Sequence, residues 1–189
     1  MDMSKLKLFS FILLLLSSIP LSAQENTIPK TLKTFVEETL VPFGNRAPIF
    51  DAIIAQNTTV DLTLQKIQDT DKEWTAFQGM SKFMLDLLSN ACALELWNLQ
   101  VKYPYVAESF VTDKQGALVA MTRKIDRYWQ GDQDYFMQTY QKGTIYYGKL
   151  EEDKNGDDVT LPISIPIKKA DEILGVMHIK VDLDHWENR

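Results

Sequence analysis

The chain has 189 residues, 24% of them charged, with a formal net charge of −6 and a single cysteine, Cys92. An acidic surface repels nucleic acid and anionic membrane and so disfavours both as partners. One cysteine rules out an intrachain disulfide, so an apolar core has to carry the stability.

The first residues have the form of an export signal. Lys5 and Lys7 make a short basic start, Leu8 to Leu16 an apolar run, and Leu21-Ser22-Ala23 a small-residue exit. That run is too short for a bilayer core, which takes roughly 20 residues. Cleavage after Ala23, leaving Gln24 first, is the main expectation, and a retained signal anchor is the alternative. Cleavage would take two lysines and one aspartate from the 20 basic and 26 acidic residues, giving −7.

Helical spacing dominates the next stretch. Leu32, Phe35, Val36 and Leu40 recur on one face, with Pro29 suited to a first turn and Pro42 to a stop. Pro48 opens a second helix with Ile49, Phe50, Ile53 and Ile54 on its apolar face. Asn57-Thr58-Thr59 is a glycosylation sequon only in a eukaryote. Val60, Ile67, Trp74 and Phe77 mark another helix, which Asp69 to Asp71 can interrupt. Ser81 is placed to cap a longer helix with a stripe of Phe83, Met84, Leu87, Leu88 and Ala91, running to about Lys102 before Pro104. Cys92 and its apolar neighbours predict a buried thiol.

The period then changes to two. Residues 108–112 and 117–122 flank Asp113-Lys114-Gln115-Gly116 and predict a hairpin with Gly116 at positive φ. Residues 144–150 make a third strand candidate. From Val159 to Ile167 the alternation is strict and predicts one buried face, while Pro162 and Pro166 on the other predict an irregular, bulged or edge strand. Residues 173–183 put Met177, Ile179, Val181 and Leu183 on one face and His178, Lys180 and Asp182 on the other. Helices followed by five short strands without βαβ alternation predict an α+β fold with an antiparallel sheet.

Motifs for catalysis are scarce. The two histidines, His178 and His185, read as solvated or hydrogen-bonded residues, and no Gly-x-Ser-x-Gly elbow accompanies them. There is no His-Glu-x-x-His, paired-cysteine or phosphate-loop motif, so no metal or cofactor is expected. Residues 153–158 have the composition of a calcium loop without its spacing and read as a polar turn. The richest stretch is Arg127 to Phe136. Its aromatic residues offer flat walls, Arg127 a clamp for an anionic group, and Asp132 or Asp134 a partner for an amine. Equally, the same stretch reads as a surface loop tucking Trp129 and Tyr135 into the core.

Several segments in order resemble the Cache (PAS-like, PDC) extracytoplasmic sensor domains. They are Asp69 with Asp71-Lys72-Glu73-Trp74, Phe110 to Gly116, Tyr128 to Asp132, Tyr146-Tyr147-Gly148, and Ser164 to Ile167 leading into Gly175-Val176. The resemblance spans about Gln56 to Trp186. It implies long N-terminal helices on a five-stranded antiparallel PAS-like sheet, with a ligand pocket on the opposite face under the Trp129 loop. The resulting division is residues 1–23 as signal, 24–57 as an N-terminal helical segment and 58–189 as one sensor domain.

As ligand-binding residues the resemblance suggests Arg127, Tyr128, Trp129, Asp132, Tyr146 and Ser164. Amino-acid-binding relatives carry Arg-x-Trp-Tyr with a downstream Asp. Here Gln130 stands in the tyrosine's place and Asp153 is a weak match for the Asp. The implied function is a periplasmic or secreted small-molecule sensor without catalytic activity. Receptors of this kind continue into a membrane helix and a signalling domain, so a membrane sensor protein is the expected partner. A homodimer through the N-terminal helices is a further expectation. The alternative is an interaction protein that keeps the fold with a filled pocket and regulates a sensor kinase.

Overall fold

The period-two segments pair into one antiparallel sheet. The computed structural model describes residues 28–152 and 159–189, so the expected export signal and the polar turn expected at 153–158, including Asp153, lie outside the described residues. The strands are β1 (Val106–Asp113), β2 (Leu118–Met121), β3 (Tyr146–Tyr147), β4 (Glu151–Glu152), β5 (Val159–Lys169) and β6 (Glu172–Asp182). Their order is β2-β1-β6-β5-β3, with β4 also on β5. The expected α+β architecture with an antiparallel sheet is present, with six strands among the described residues where five were expected. The third candidate strand shrinks to Tyr146–Tyr147, and the extra strand is the short pair Glu151–Glu152.

The helices are α1 (Lys30–Phe35), α2 (Val41–Gly44), α3 (Ala47–Asn57), α4 (Leu64–Ala76), α5 (Lys82–Ser89), α6 (Ala91–Lys102), α7 (Asp134–Lys142) and α8 (Leu183–Glu187). One sheet face packs against α1, α2, α3 and α6. Leu32, Ile49, Ile53 and Leu96 meet Leu161, Ile163, Met177 and Ile179 in the main core. Each such side chain contributes about 1.5–3 kcal/mol by leaving water. A second, smaller core at the β2 edge joins Ile67 and Trp74 of α4 and Met84 and Leu87 of α5 to Phe110, Leu118 and Tyr128.

Three helical expectations are corrected. Pro42 does not stop its helix, because a π-helical turn, Val36–Leu40, precedes it. Val41 N–H already reaches back to Val36 O there, and the chain runs on to Gly44. Asp69 to Asp71 do not interrupt α4. Asp69 pairs on the helix surface with Lys72 at 2.8 Å, and Asp71 finds partners outside the helix. The long helix from Ser81 is broken at Asn90, whose backbone is extended (φ −70°, ψ 169°). Its side chain explains the break, accepting from Ala93 N–H and donating to Val119 O, both at 2.9 Å.

β5 and β6 also differ from expectation, since both of their faces are buried. Ser164 is fully buried and His178 is 3% exposed, because α7 and the loop before it form another layer over the polar face. The two prolines are tolerated through their orientation. Gly148 N–H donates to Pro162 O at 2.8 Å, so Pro162 turns its peptide toward the short β3–β4 side. Pro166, four residues on, turns the same way. β5 therefore loses no donor toward β6 and pairs with it from Thr160 to Lys169, with a bulge after Ile167.

Candidate functional site

The β1–β2 turn is where the site begins. Asp113 Oδ1 accepts from Gln115 N–H at 2.8 Å and Ala117 N–H at 2.9 Å, closing the turn. Burial raises the Asp113 carboxyl above its ordinary range, against the bond from Gln56 that favours its charged form. Gly116 has φ +84°, and a Cβ there would stand 2.4 Å from Gly131 backbone atoms. The close approach is needed because Gln130 N–H donates to Gly116 O at 2.7 Å, and Trp129 Nε1–H to Gln115 O at 2.8 Å.

A second anchor holds the same loop from α4. The Asp71 carboxylate is buried and receives four hydrogen bonds. Oδ1 takes Tyr128 N–H at 2.8 Å and Trp129 N–H at 2.9 Å. Oδ2 takes Arg127 Nε at 3.2 Å and Nη2 at 3.0 Å. Arg127 Nη1 meanwhile reaches both Asp132 oxygens, at 2.9 and 3.0 Å. Burial disfavours the charged forms of Arg127 and Asp132. Their hydrogen bonds prevail, raising the guanidinium and lowering the carboxyl.

Between this loop, α7 and the polar face of the sheet lies a cavity of about 760 Å³. Phe110, Pro162 and His178 form its floor, and Tyr135 and Tyr146 flank it. Its charges are largely paired. Lys180 Nζ lies 2.8 Å from Glu151 and 3.8 Å from Glu108. Burial would lower the Lys180 ammonium, but these two carboxylates outweigh it and raise it.

His178 is the most buried titratable group of the floor. Its Nδ1 stands 2.8 Å from Ser164 Oγ, its ring stacks on Phe110 at 4.7 Å, and Tyr135 lies 4.4 Å away. Burial first, and Lys180 second, lower the imidazole to about 3, so it is neutral at any physiological pH. Burial likewise raises the Tyr135 hydroxyl, which donates to Gln130 Oε1. Among the described residues, no group of three or more His, Cys, Asp or Glu is arranged to hold a metal ion.

Of the residues suggested from the sequence, Arg127, Asp132 and Tyr146 line this cavity. Ser164 stands beside His178 on the neighbouring strand and does not line the cavity. Tyr128 is in the second core, and Trp129 packs against that core with Arg127 over its ring at 5.8 Å. Both hold the loop from behind. Sequence reasoning missed the roles of Asp71, Tyr135, His178 and Lys180. Counting outward from the hairpin at Ala170-Asp171 sets Ser164 opposite Met177, and it is the bulge after Ile167 that shifts the register by one and brings His178 opposite Ser164.

No protein-family model matches the sequence, and no curated protein matches it. Several solved structures are similar to the chain. One is an extracellular domain ascribed to a histidine kinase, vpHK1S-Z8, at 10% identity and TM-score 0.47, covering 84% of this chain and 53% of that one. Another is the sensor domain of the V. cholerae histidine kinase DctB, at 17% identity and TM-score 0.45, covering 84% and 51%. A third is the ligand-binding domain of the Pseudomonas aeruginosa PAO1 amino acid chemoreceptor PctC in complex with GABA. It stands at 12% identity and TM-score 0.42, covering 82% and 62%. The chain spans about half the length of the first two.

Proposed function

We propose that this chain is an exported ligand-binding sensor module of the Cache type, without catalytic activity, that hands ligand occupancy to a membrane signalling protein. The observation carrying this reading is the cavity on the polar sheet face, roofed by a loop that two separate anchors hold in place. A pocket of this size, with aromatic side chains and convergent polar groups in its lining, suits a small molecule. Among the described residues, no helix is long and apolar enough to cross a membrane.

The Ser164–His178 pair does not favour hydrolysis. Ser164 is fully buried, and an imidazole lowered to about 3 is too weak a base to take a serine proton. The second reading, an interaction protein with a filled pocket, has the exposed apolar side chains Leu94, Trp97 and Val101 of α6 in its favour. Thermal shift against a metabolite library, with native mass spectrometry of the purified protein, separates the two. A ligand that binds only the folded state raises the melting temperature. No shift and no bound species would overturn the sensor reading. N-terminal sequencing of the exported product should begin at Gln24, and analytical ultracentrifugation tests a homodimer through the N-terminal helices.

A further inference from the structure

The cavity floor holds a polar group with bonding capacity to spare. His178 is 3% exposed and lines the cavity, yet the only hydrogen bond of its ring among the described residues joins Nδ1 to Ser164 Oγ. The direction of that bond follows from the serine. Ser164 is fully buried, and its hydroxyl has no other acceptor among the described residues. If Nδ1 carried the proton, the serine hydrogen would be left without a partner, which buried groups avoid. Ser164 therefore donates to Nδ1, and the ring's hydrogen sits on Nε2. Nε2–H is then a donor with no acceptor among the described residues, held rigid between Phe110 and Tyr135.

The charges around the cavity narrow the ligand further. Arg127 lies between Asp71 and Asp132, and Lys180 between Glu151 and Glu108, so each of these cations is already met by two carboxylates. Asp126 and Asp134 also line the cavity and form no ion pair among the described residues, against Lys149 alone on the basic side. A carboxylate seated on His178 would have to shed water without gaining a free cation, which is costly. An uncharged oxygen escapes that penalty.

We propose that the cavity takes a small organic amine carrying an uncharged oxygen acceptor, an amide or alcohol, which His178 Nε2–H binds while the protonated amine lies toward Asp126, Asp132 and Asp134. This rests on reading the cavity as a ligand site, and it makes His178 the residue that selects a neutral acceptor over a carboxylate. Ser164 is a positioning residue that acts through the ring.

Calorimetric titration of 5-aminopentanamide, 5-amino-1-pentanol and 5-aminopentanoate tests this choice. The amide and the alcohol should each bind at least about tenfold tighter than the carboxylate, the factor expected for one well-made hydrogen bond without a charge penalty. His178→Phe should abolish the preference and His178→Gln, which keeps an N–H donor, should restore part of it. Nitrogen-15 NMR of the wild-type imidazole reads the tautomer without any variant, and should show hydrogen on Nε2 and a shift on adding the amide. Hydrogen on Nδ1, or a carboxylate binding as tightly as the amide, would overturn the inference. If none of the three binds while the metabolite library yields another ligand, this inference fails and the sensor reading stands. If the library too yields nothing, both fail.

Discussion

Removing the Asp71 carboxylate should detach the loop that roofs the cavity, and the cost can be worked out from its bonds. Asp71→Ala leaves the Tyr128 and Trp129 N–H groups without an acceptor, beside a Tyr128 side chain that is 3% exposed. A buried donor left unsatisfied costs about 1–3 kcal/mol. Arg127 keeps Asp132, and its side chain is 32% exposed, so the lost ion pair adds at most about 1 kcal/mol. Two such donors and the pair together come to about 2–7 kcal/mol, a large share of the roughly 5–15 kcal/mol that holds a domain folded. Asp71→Asn separates the two contributions. Its amide oxygen still accepts from both backbone groups while the Arg127 pair is lost, so about 1 kcal/mol is expected. Urea unfolding followed by tryptophan fluorescence gives both numbers, and hydrogen exchange at the Tyr128 and Trp129 amides localises the loss. An Asp71→Ala midpoint within 0.5 kcal/mol of wild type on the ~1–3 kcal/mol scale of one unsatisfied donor would refute the anchor. Equal losses in the two variants would mean that the ion pair, and not the backbone, does the holding.

Three further outcomes follow from single observations. Gly116→Val should destabilise by at least ~1–3 kcal/mol, since φ +84° resists a β-branched residue and the new Cβ would meet Gly131 backbone at 2.4 Å; an unchanged denaturant midpoint would contradict it. Cys92 is fully buried and its thiol is pushed up to about 12 by burial, so thiol reagents at pH 8 should label it only after unfolding; rapid labelling of native protein would show the site to be open. His178 has a folded value of about 3 against an unfolded 6.5, so the unfolded chain takes the proton first. Its contribution to stability is whole above pH 6.5 and is lost as pH falls toward 3, by up to about 1.4 kcal/mol per pH unit. His178→Phe should flatten that slope between pH 6.5 and 4.5, and parallel slopes in the two proteins would dismiss the assignment.

Local patterns in the chain were enough for the long strands of the sheet and for its first turn. Strict alternation from Val159 to Ile167, and the turn chemistry at Asp113 to Gly116, depend on neighbours within a few residues, and both elements stand where expected. The helices were read less well. Pro42 and Asn90 act through features that periodicity does not register, a π-helical turn before one and a side chain bonded to Val119 O for the other. The loop from Arg127 to Phe136 stood out by composition, yet its orientation is set by Asp71, more than fifty residues earlier in the chain.

The polar face of β5 and β6 shows most clearly where such reading runs out. Alternation states that Ser164, His178 and Lys180 share one side of the sheet, and polarity suggests water there. Whether that side meets solvent depends on what the chain lays over it, here α7 and the loop that precedes it. Once covered, each polar group must find a partner, and the partners are specific: Ser164 for His178, Glu151 and Glu108 for Lys180. A buried polar face costs more than an apolar one unless every group on it is met. The Nε2–H of His178 is the group on that face left unmet among the described residues, at the floor of a cavity large enough for a small molecule. A covering layer that closed on apolar side chains would have served stability better. The retained polar floor is therefore best accounted for by something that enters and completes its hydrogen bonds.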